Sequence, residues 1–209
     1  MINKRVILLM GVQRSGTNAL RKSLEHDTSI ISYNEGIYNI FFEKWLLRPK
    51  KSYTEFLTQL NFKTVLLKPV QETRLKKIEE IITGFDIFNC YIIWPFRNPI
   101  NVYYSQNKKS KRSIKSFIAD WNKRNSDAID FYINKKDDIL FVEYEKLLTD
   151  KEYLNNIFKY TNINGKDIFL NDSNAGINTL SNPKKNRILI DTLSTHNKLL
   201  KISNSQIKS

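Results

Sequence analysis

The chain has 209 residues, 41% of them hydrophobic and 12% aromatic, and a formal net charge of +13 from 34 Lys and Arg against 21 Asp and Glu. This length and composition suit one domain with its own core and exclude wholesale disorder. The basic balance draws anions of every kind, from phosphorylated cofactors to nucleic acid, and by itself selects no partner. Cys90 is the single cysteine, so no disulfide can form within the chain, and its apolar setting, Cys90-Tyr91-Ile92-Ile93-Trp94, reads as a buried, inert thiol. The apolar run Val6 to Val12 is too short for a secretory signal and lacks a small-residue cleavage site, and no stretch approaches a membrane span; a cytoplasmic protein is the expectation.

Val6-Ile7-Leu8-Leu9-Met10 is an unbroken apolar run and predicts a strand buried on both faces. Gly11 to Gly16 reads as a turn, and Leu20 and Leu24, one turn apart, open a helix from Thr17. Ile30 to Tyr33 predicts a second strand. Ile37 to Leu47 is apolar at helical spacing and ends before Pro49, which predicts a helix. Ser52 caps a short helix to about Leu60. Val65 to Lys68 predicts a third strand, ended by Pro69, and Thr73 to Ile82 an amphipathic helix stopped at Gly84. Tyr91 to Trp94 predicts a fourth strand, with Pro99 starting the next helix. Ser113 to about Asn134 predicts one long helix burying Phe117, Trp121, Ile129 and Ile133. Ile139 to Val142 predicts a fifth strand, and Tyr144 to Tyr160 a helix in two pieces, broken near Thr149-Asp150. From Asn162 to Arg187 polar residues dominate without periodicity. Ile188 to Leu200 predicts a last helix, and 203–209 a frayed tail.

Strands alternating with helices predict a single α/β domain over 1–209, a three-layer α/β/α sandwich with a central parallel sheet of about five strands, P-loop-like. Ligands in such sheets bind beyond the carboxyl ends of the strands, so the residues after each strand carry the argument.

Gly11-Val12-Gln13-Arg14-Ser15-Gly16-Thr17-Asn18 follows the first strand and opens a helix, the setting of a phosphate-binding loop. Against the nucleotide-triphosphate pattern G-x-x-x-x-G-K-[ST], both glycines match. Thr17 stands in the Lys position and Asn18 in the place of the magnesium-binding hydroxyl. The cation sits inside the loop instead, as Arg14.

Arg14-Ser15-Gly16-Thr17-Asn18 resembles the 5′-phosphosulfate loop of the PAPS-dependent sulfotransferases, which reads Arg or Lys, Ser, Gly, Thr, Thr; only Asn18 departs. Arg97-Asn98-Pro99-Ile100-Asn101-Val102-Tyr103-Tyr104-Ser105 resembles their 3′-phosphate motif, Arg, Asp, Pro, two residues, Val, two residues, Ser. Arg97, Pro99, Val102 and Ser105 match in register, and Asn98 replaces the Asp. Arg suits a phosphate because its fork matches phosphate geometry. The pattern is nearest to the tyrosylprotein and heparan-type families and to bacterial members.

The resemblance implies transfer of a sulfuryl group from PAPS, with PAP as product, to a hydroxyl or amine of a sugar, lipid, small metabolite or peptide, with no metal required. It implies that Arg14, Ser15, Gly16, Thr17, Asn18, Arg97 and Ser105 bind the donor. It further implies that Lys184, Lys185 and Arg187 belong to a late loop over the 3′-phosphate. Arg14 and Lys68 would stabilise the leaving phosphate, Lys68 in the place of the Lys-Asp-Pro stretch of tyrosylprotein sulfotransferases though Pro69 follows it directly. Glu35, after the second strand, stands where those families carry a catalytic Glu base. Phe141 to Leu148 resembles the structural Tyr-Glu-x-Leu segment. Two other readings compete: a P-loop kinase or other NTP enzyme, opposed by Thr17 and Asn18, and a basic nucleic-acid binder built on Lys108 to Arg112 with Tyr103, Tyr104 and Trp121.

Overall fold

A computed structural model describes residues 4–50, 54–59, 61, 63–86, 88–108, 111–135, 138–167 and 182–206. Five parallel strands form the central sheet: β1 (Arg5–Leu9), β2 (Ile30–Asn34), β5 (Thr64–Lys68), β6 (Asn89–Phe96) and β7 (Ile139–Glu143), in the order β2-β5-β1-β6-β7. The chain leaves β1 toward one edge and leaves β6 toward the other. The connections therefore diverge at the β1–β6 pair, and a crevice opens beyond their carboxyl ends. A two-stranded hairpin of β3 (Phe42–Glu43) and β4 (Leu46–Leu47) stands apart from the sheet.

The continuous apolar runs are buried on both faces, as expected. Val6 and Leu8 point into one core with Phe117 and Trp121, while Ile7 and Leu9 point into the other with Leu20, Leu24 and Leu154. The helices of these layers are α1 (Thr17–Leu24), α2 (Thr54–Gln59), α3 (Glu72–Leu75), α4 (Ile78–Ile82), α5 (Pro99–Asn107), α6 (Ile114–Asn134), α7 (Tyr144–Leu147), α8 (Lys151–Thr161) and α9 (Asn182–Gln206). The three-layer α/β/α arrangement with a parallel sheet of five strands is the one the sequence predicts. The break between α7 and α8 falls at the expected Thr149-Asp150, where the Asp150 carboxylate accepts from Tyr153 N at 3.0 Å.

Four expectations are corrected. The helix over 37–47 is the β3–β4 hairpin with its approach turns. Asn39 Oδ1 accepts from Phe41 N and Phe42 N at 2.9 and 3.1 Å, and Asn39 Nδ2 donates to Ile37 O at 2.6 Å, so one amide side chain holds the backbone out of a helix. The helix over 73–82 splits in two because Lys76 and Lys77 are extended. Ile133 is exposed, the second-to-last residue of α6 and beyond its packed stripe. Residues 203–206, expected in a frayed tail, belong to α9. Ser203 is fully buried and its Oγ donates to Phe141 O at 3.0 Å. Gln206 Nε2 donates to Ile139 O at 2.6 Å and its Oε1 accepts from Phe141 N at 2.9 Å. These polar side chains pair with the open edge of β7 and protect it.

Candidate functional site

The loop after β1 alternates in hand. Arg14 and Gly16 have φ of 72° and 96°, with Ser15 between them, the alternation that turns successive N–H groups to one side as an anion nest. Neighbours hold this conformation. Gly11 has φ of 128°, and a Cβ there would lie 2.9 Å from Pro95 O. A Cβ on Gly16 would lie 2.1 Å from Cδ2 of Tyr144. Gln106 of α5 donates to Gln13 O at 3.0 Å. Arg124 of α6, fully buried, donates to Gly11 O, to Val70 O at 2.7 Å and to Thr73 Oγ1 at 2.5 Å, joining the loop to the chain after β5. Burial lowers the Arg124 guanidinium to about 10; Asp120 opposes this shift, whereas Arg74 and Arg112 add to it.

In-register pairing of β2 with β5 sets Asn34 beside Lys68, so Glu35 and Lys68 emerge together. Lys68 Nζ donates to Glu35 Oε1 at 3.1 Å and Gln71 N to Glu35 Oε2 at 2.8 Å; both Glu35 and Lys68 are buried. Burial raises the Glu35 carboxyl above its ordinary 4.5, against the pull of Lys68, of the Gln71 N–H and of Arg124. Each carboxylate oxygen retains a second lone pair for a ligand proton.

These groups share one cavity of about 630 Å³. Arg14, Thr17, Asn18, Glu35 and Lys68, read from three separate strand ends, all line it. Trp45, Arg74 and Arg112 line it too; Trp45 and Arg74 come from segments the sequence did not single out, and Arg112 from the basic cluster read there as a nucleic-acid surface.

Arg97 and Ser105 are not among the described residues lining that cavity. Arg97, just after β6, stacks its guanidinium 4.8 Å from the centroid of Tyr144, the ring that abuts Gly16. Glu145 Oε1 accepts from Asn98 N at 3.0 Å and lies 3.9 Å from Arg97 Nε. Tyr144 and Glu145 thus brace the Arg97 turn against the loop. Asn98 Oδ1 caps α5, accepting from Ile100 N at 3.0 Å. Asn and Asp cap helices equally well, which accounts for Asn in the place of the family's Asp. Ser105 is half-buried on α5. Lys184 and Lys185 stand near the start of α9, Lys184 exposed, and neither lines the cavity; residues 168–181 before them lie outside the described residues. Of the aromatic residues in the nucleic-acid reading, Trp121 and Tyr103 are core residues and Tyr104 is half-buried beside Lys108.

Ser15 Oγ, Arg97 Nε and Arg124 Nε are buried near the loop without a hydrogen-bond partner among the described residues. A buried donor left unmade costs about 1–3 kcal/mol. Arg124 carried a legible signal: it falls on the helical stripe of Phe117, Trp121 and Ala128, where a buried charge requires fixed partners.

No family model and no curated protein matches the sequence. Solved structures do match in fold. A sulfotransferase from Alicyclobacillus acidocaldarius aligns with a TM-score of 0.65 at 11% identity over 97% of this chain and 98% of its own. The sulfotransferase domain of the Synechococcus PCC 7002 olefin synthase aligns at 0.60 and 14% identity over 94% of each chain. The sulfotransferase domain of the curacin biosynthetic pathway aligns at 0.54 and 14% identity over 91% of this chain and 98% of that one. The chain therefore has the sulfotransferase fold.

Proposed function

We propose that this protein, built on the sulfotransferase fold, transfers a sulfuryl group from PAPS to an acceptor hydroxyl. The carrying observation is that Arg14, Thr17, Asn18, Glu35 and Lys68 line one cavity, with a phosphate-loop conformation and a buried carboxylate–ammonium pair side by side. When bound, PAPS supplies a sulfuryl group on a phosphate leaving group. The loop N–H groups with Arg14, Ser15, Gly16, Thr17 and Asn18 would hold its 5′ end, and Arg97 with Ser105, which stand outside the cavity lining, would hold the 3′-phosphate. Lys184 and Lys185 are assigned to the same 3′ end.

Glu35 takes the proton of the acceptor hydroxyl as the new O–S bond forms and the bridging S–O bond breaks. Its raised pKa matches a general base better than an ordinary surface carboxylate. Lys68 and Arg14 neutralise charge on the departing phosphate oxygen. Lys68 also holds Glu35 in place, so base and leaving-group cation are fixed relative to one another.

The test is Glu35→Gln, assayed by PAP release from PAPS over a panel of phenolic and sugar acceptors. Turnover falls by about 10² or more, the usual scale of a lost general base, while PAP affinity stays within about twofold. A comparable loss of PAP affinity makes Glu35 a structural residue and removes it from the chemistry.

A further inference from the structure

Beyond the donor groups, the cavity continues to Trp45, Ile37, Arg74 and Arg112. The cations there are in excess. Asp120 is the carboxylate facing three guanidinium groups: Arg112 Nη1 at 3.0 Å, Arg74 Nε at 3.7 Å and Arg124 Nη1 at 3.8 Å. Arg124 is spent on backbone carbonyls, and the Arg74 side chain keeps 43% of its surface open. Arg14 and Lys68 are committed to the donor. Arg112 is further fixed by Ser116 Oγ at 3.2 Å, Ser116 O at 2.9 Å and Gln106 Oε1 at 3.5 Å, so Arg74 is the cation of this end with surface to spare, and a neutral acceptor would cover it without adding a counter-charge, an unfavourable desolvation.

The hairpin turn that lines the cavity is strained. Lys44 and Trp45 form the two-residue turn of the β3–β4 hairpin with φ of 48° and 71°. Such turns favour Asn and Gly, and a bulky residue there is an outlier. Trp45 is nonetheless 57% exposed, with its indole against Gly36 and Ile37 exposed as well. Strain together with an exposed indole beside the Glu35 carboxyl marks a surface kept for a ligand.

We infer that the Trp45–Arg74–Arg112 end of the cavity is the acceptor subsite and takes a ring-bearing hydroxyl compound with an anionic substituent, its ring on the indole and its anion on the Arg74 guanidinium. This rests on the sulfuryl-transfer reading. Acidic sugars and acidic phenols share this chemistry, whereas neutral sterols and aliphatic alcohols lack it.

Calorimetric titration of the PAP-saturated protein with phenyl β-D-glucuronide and phenyl β-D-glucoside tests the assignment, since the two differ by one carboxylate. The glucuronide binds about tenfold tighter, the scale of one charge-assisted pair. Arg74→Gln, at an exposed position, removes most of that preference. Trp45→Asn weakens both sugars without lowering the melting temperature, because Asn accepts positive φ, a result a merely structural indole would not give. Replacing the glucuronide by 4-hydroxyphenylacetate tells an aryl from a sugar source. Equal binding of the two glycosides, no binding of either, or a preference unchanged in Arg74→Gln overturns the subsite. PAP is titrated first and separately. Its failure to bind overturns the sulfotransferase reading instead, and the glycoside preference is then read on the free protein.

Discussion

The two ends of the sheet carry cavities of opposite sign. At the carboxyl end, about 630 Å³ is lined by Arg14, Lys68, Arg74 and Arg112 against the single carboxylate of Glu35. At the amino end, about 460 Å³ is lined by Glu79, Asp86 and Asp138 against Lys135. The second cavity includes Cys90, whose thiol burial pushes up to about 12, with Asp138 adding to the shift. A net charge of +13 therefore says little about where an anion binds. The parallel sheet gathers five strand ends at one pole, and that pole also has the nest and the helix N-terminus of α1.

The contrast breaks most strongly when the carboxyl-end cations are removed. Arg14→Ala and Lys68→Ala each lower PAP release by about 10²- to 10³-fold, the scale of a lost charge-stabilising donor. Arg124→Met acts on the scaffold of the same pole. It unties Gly11 O and leaves Asp120 less compensated, and chemical denaturation should show a loss of about 3 kcal/mol. Gly16→Ala drives a Cβ into Tyr144 at positive φ, with an expected loss of about 1–3 kcal/mol and weakened PAP binding in the same titration.

A smaller effect follows from Glu35. Its pKa is raised on folding, so its contribution to stability is full below the unfolded value near 4.5 and is lost as pH rises through the folded value. Melting temperatures of wild type and Glu35→Gln should therefore agree in acid, with the variant gaining relative to wild type as pH rises. Smallest of all is the control at the opposite pole: Glu79→Gln with Asp138→Asn leaves PAP affinity within about twofold, since both groups lie at the far end of the strands.

Periodicity and motif spacing made the sheet, the α6 span and the loop after β1 legible, because unbroken apolar runs and glycines at fixed offsets are local signals. The β3–β4 hairpin was not legible. Phe41 and Phe42 fit a helical spacing, and only the hydrogen bonds of Asn39 and the turn at Lys44-Trp45 decide otherwise. The end of α9 was misread for a related reason. Ser203 and Gln206 look like tail residues until the open edge of β7 gives them partners. At the site, residues after strands were readable one by one. Arg74, Arg112 and Trp45 reach the cavity from a short helix, an inter-helix segment and a hairpin turn, and their convergence is a tertiary fact with no spacing to reveal it.

The proposed function requires the carboxyl pole to hold a nucleotide with phosphate at both ends. Calorimetric titration with PAP tests it most directly. Wild type binds at micromolar concentration, and Arg97→Ala binds at least about tenfold more weakly if, as proposed, the guanidinium stacked on Tyr144 makes a charge-assisted contact to the 3′-phosphate. Absence of micromolar binding by wild type, or equal binding by Arg97→Ala, contradicts the account.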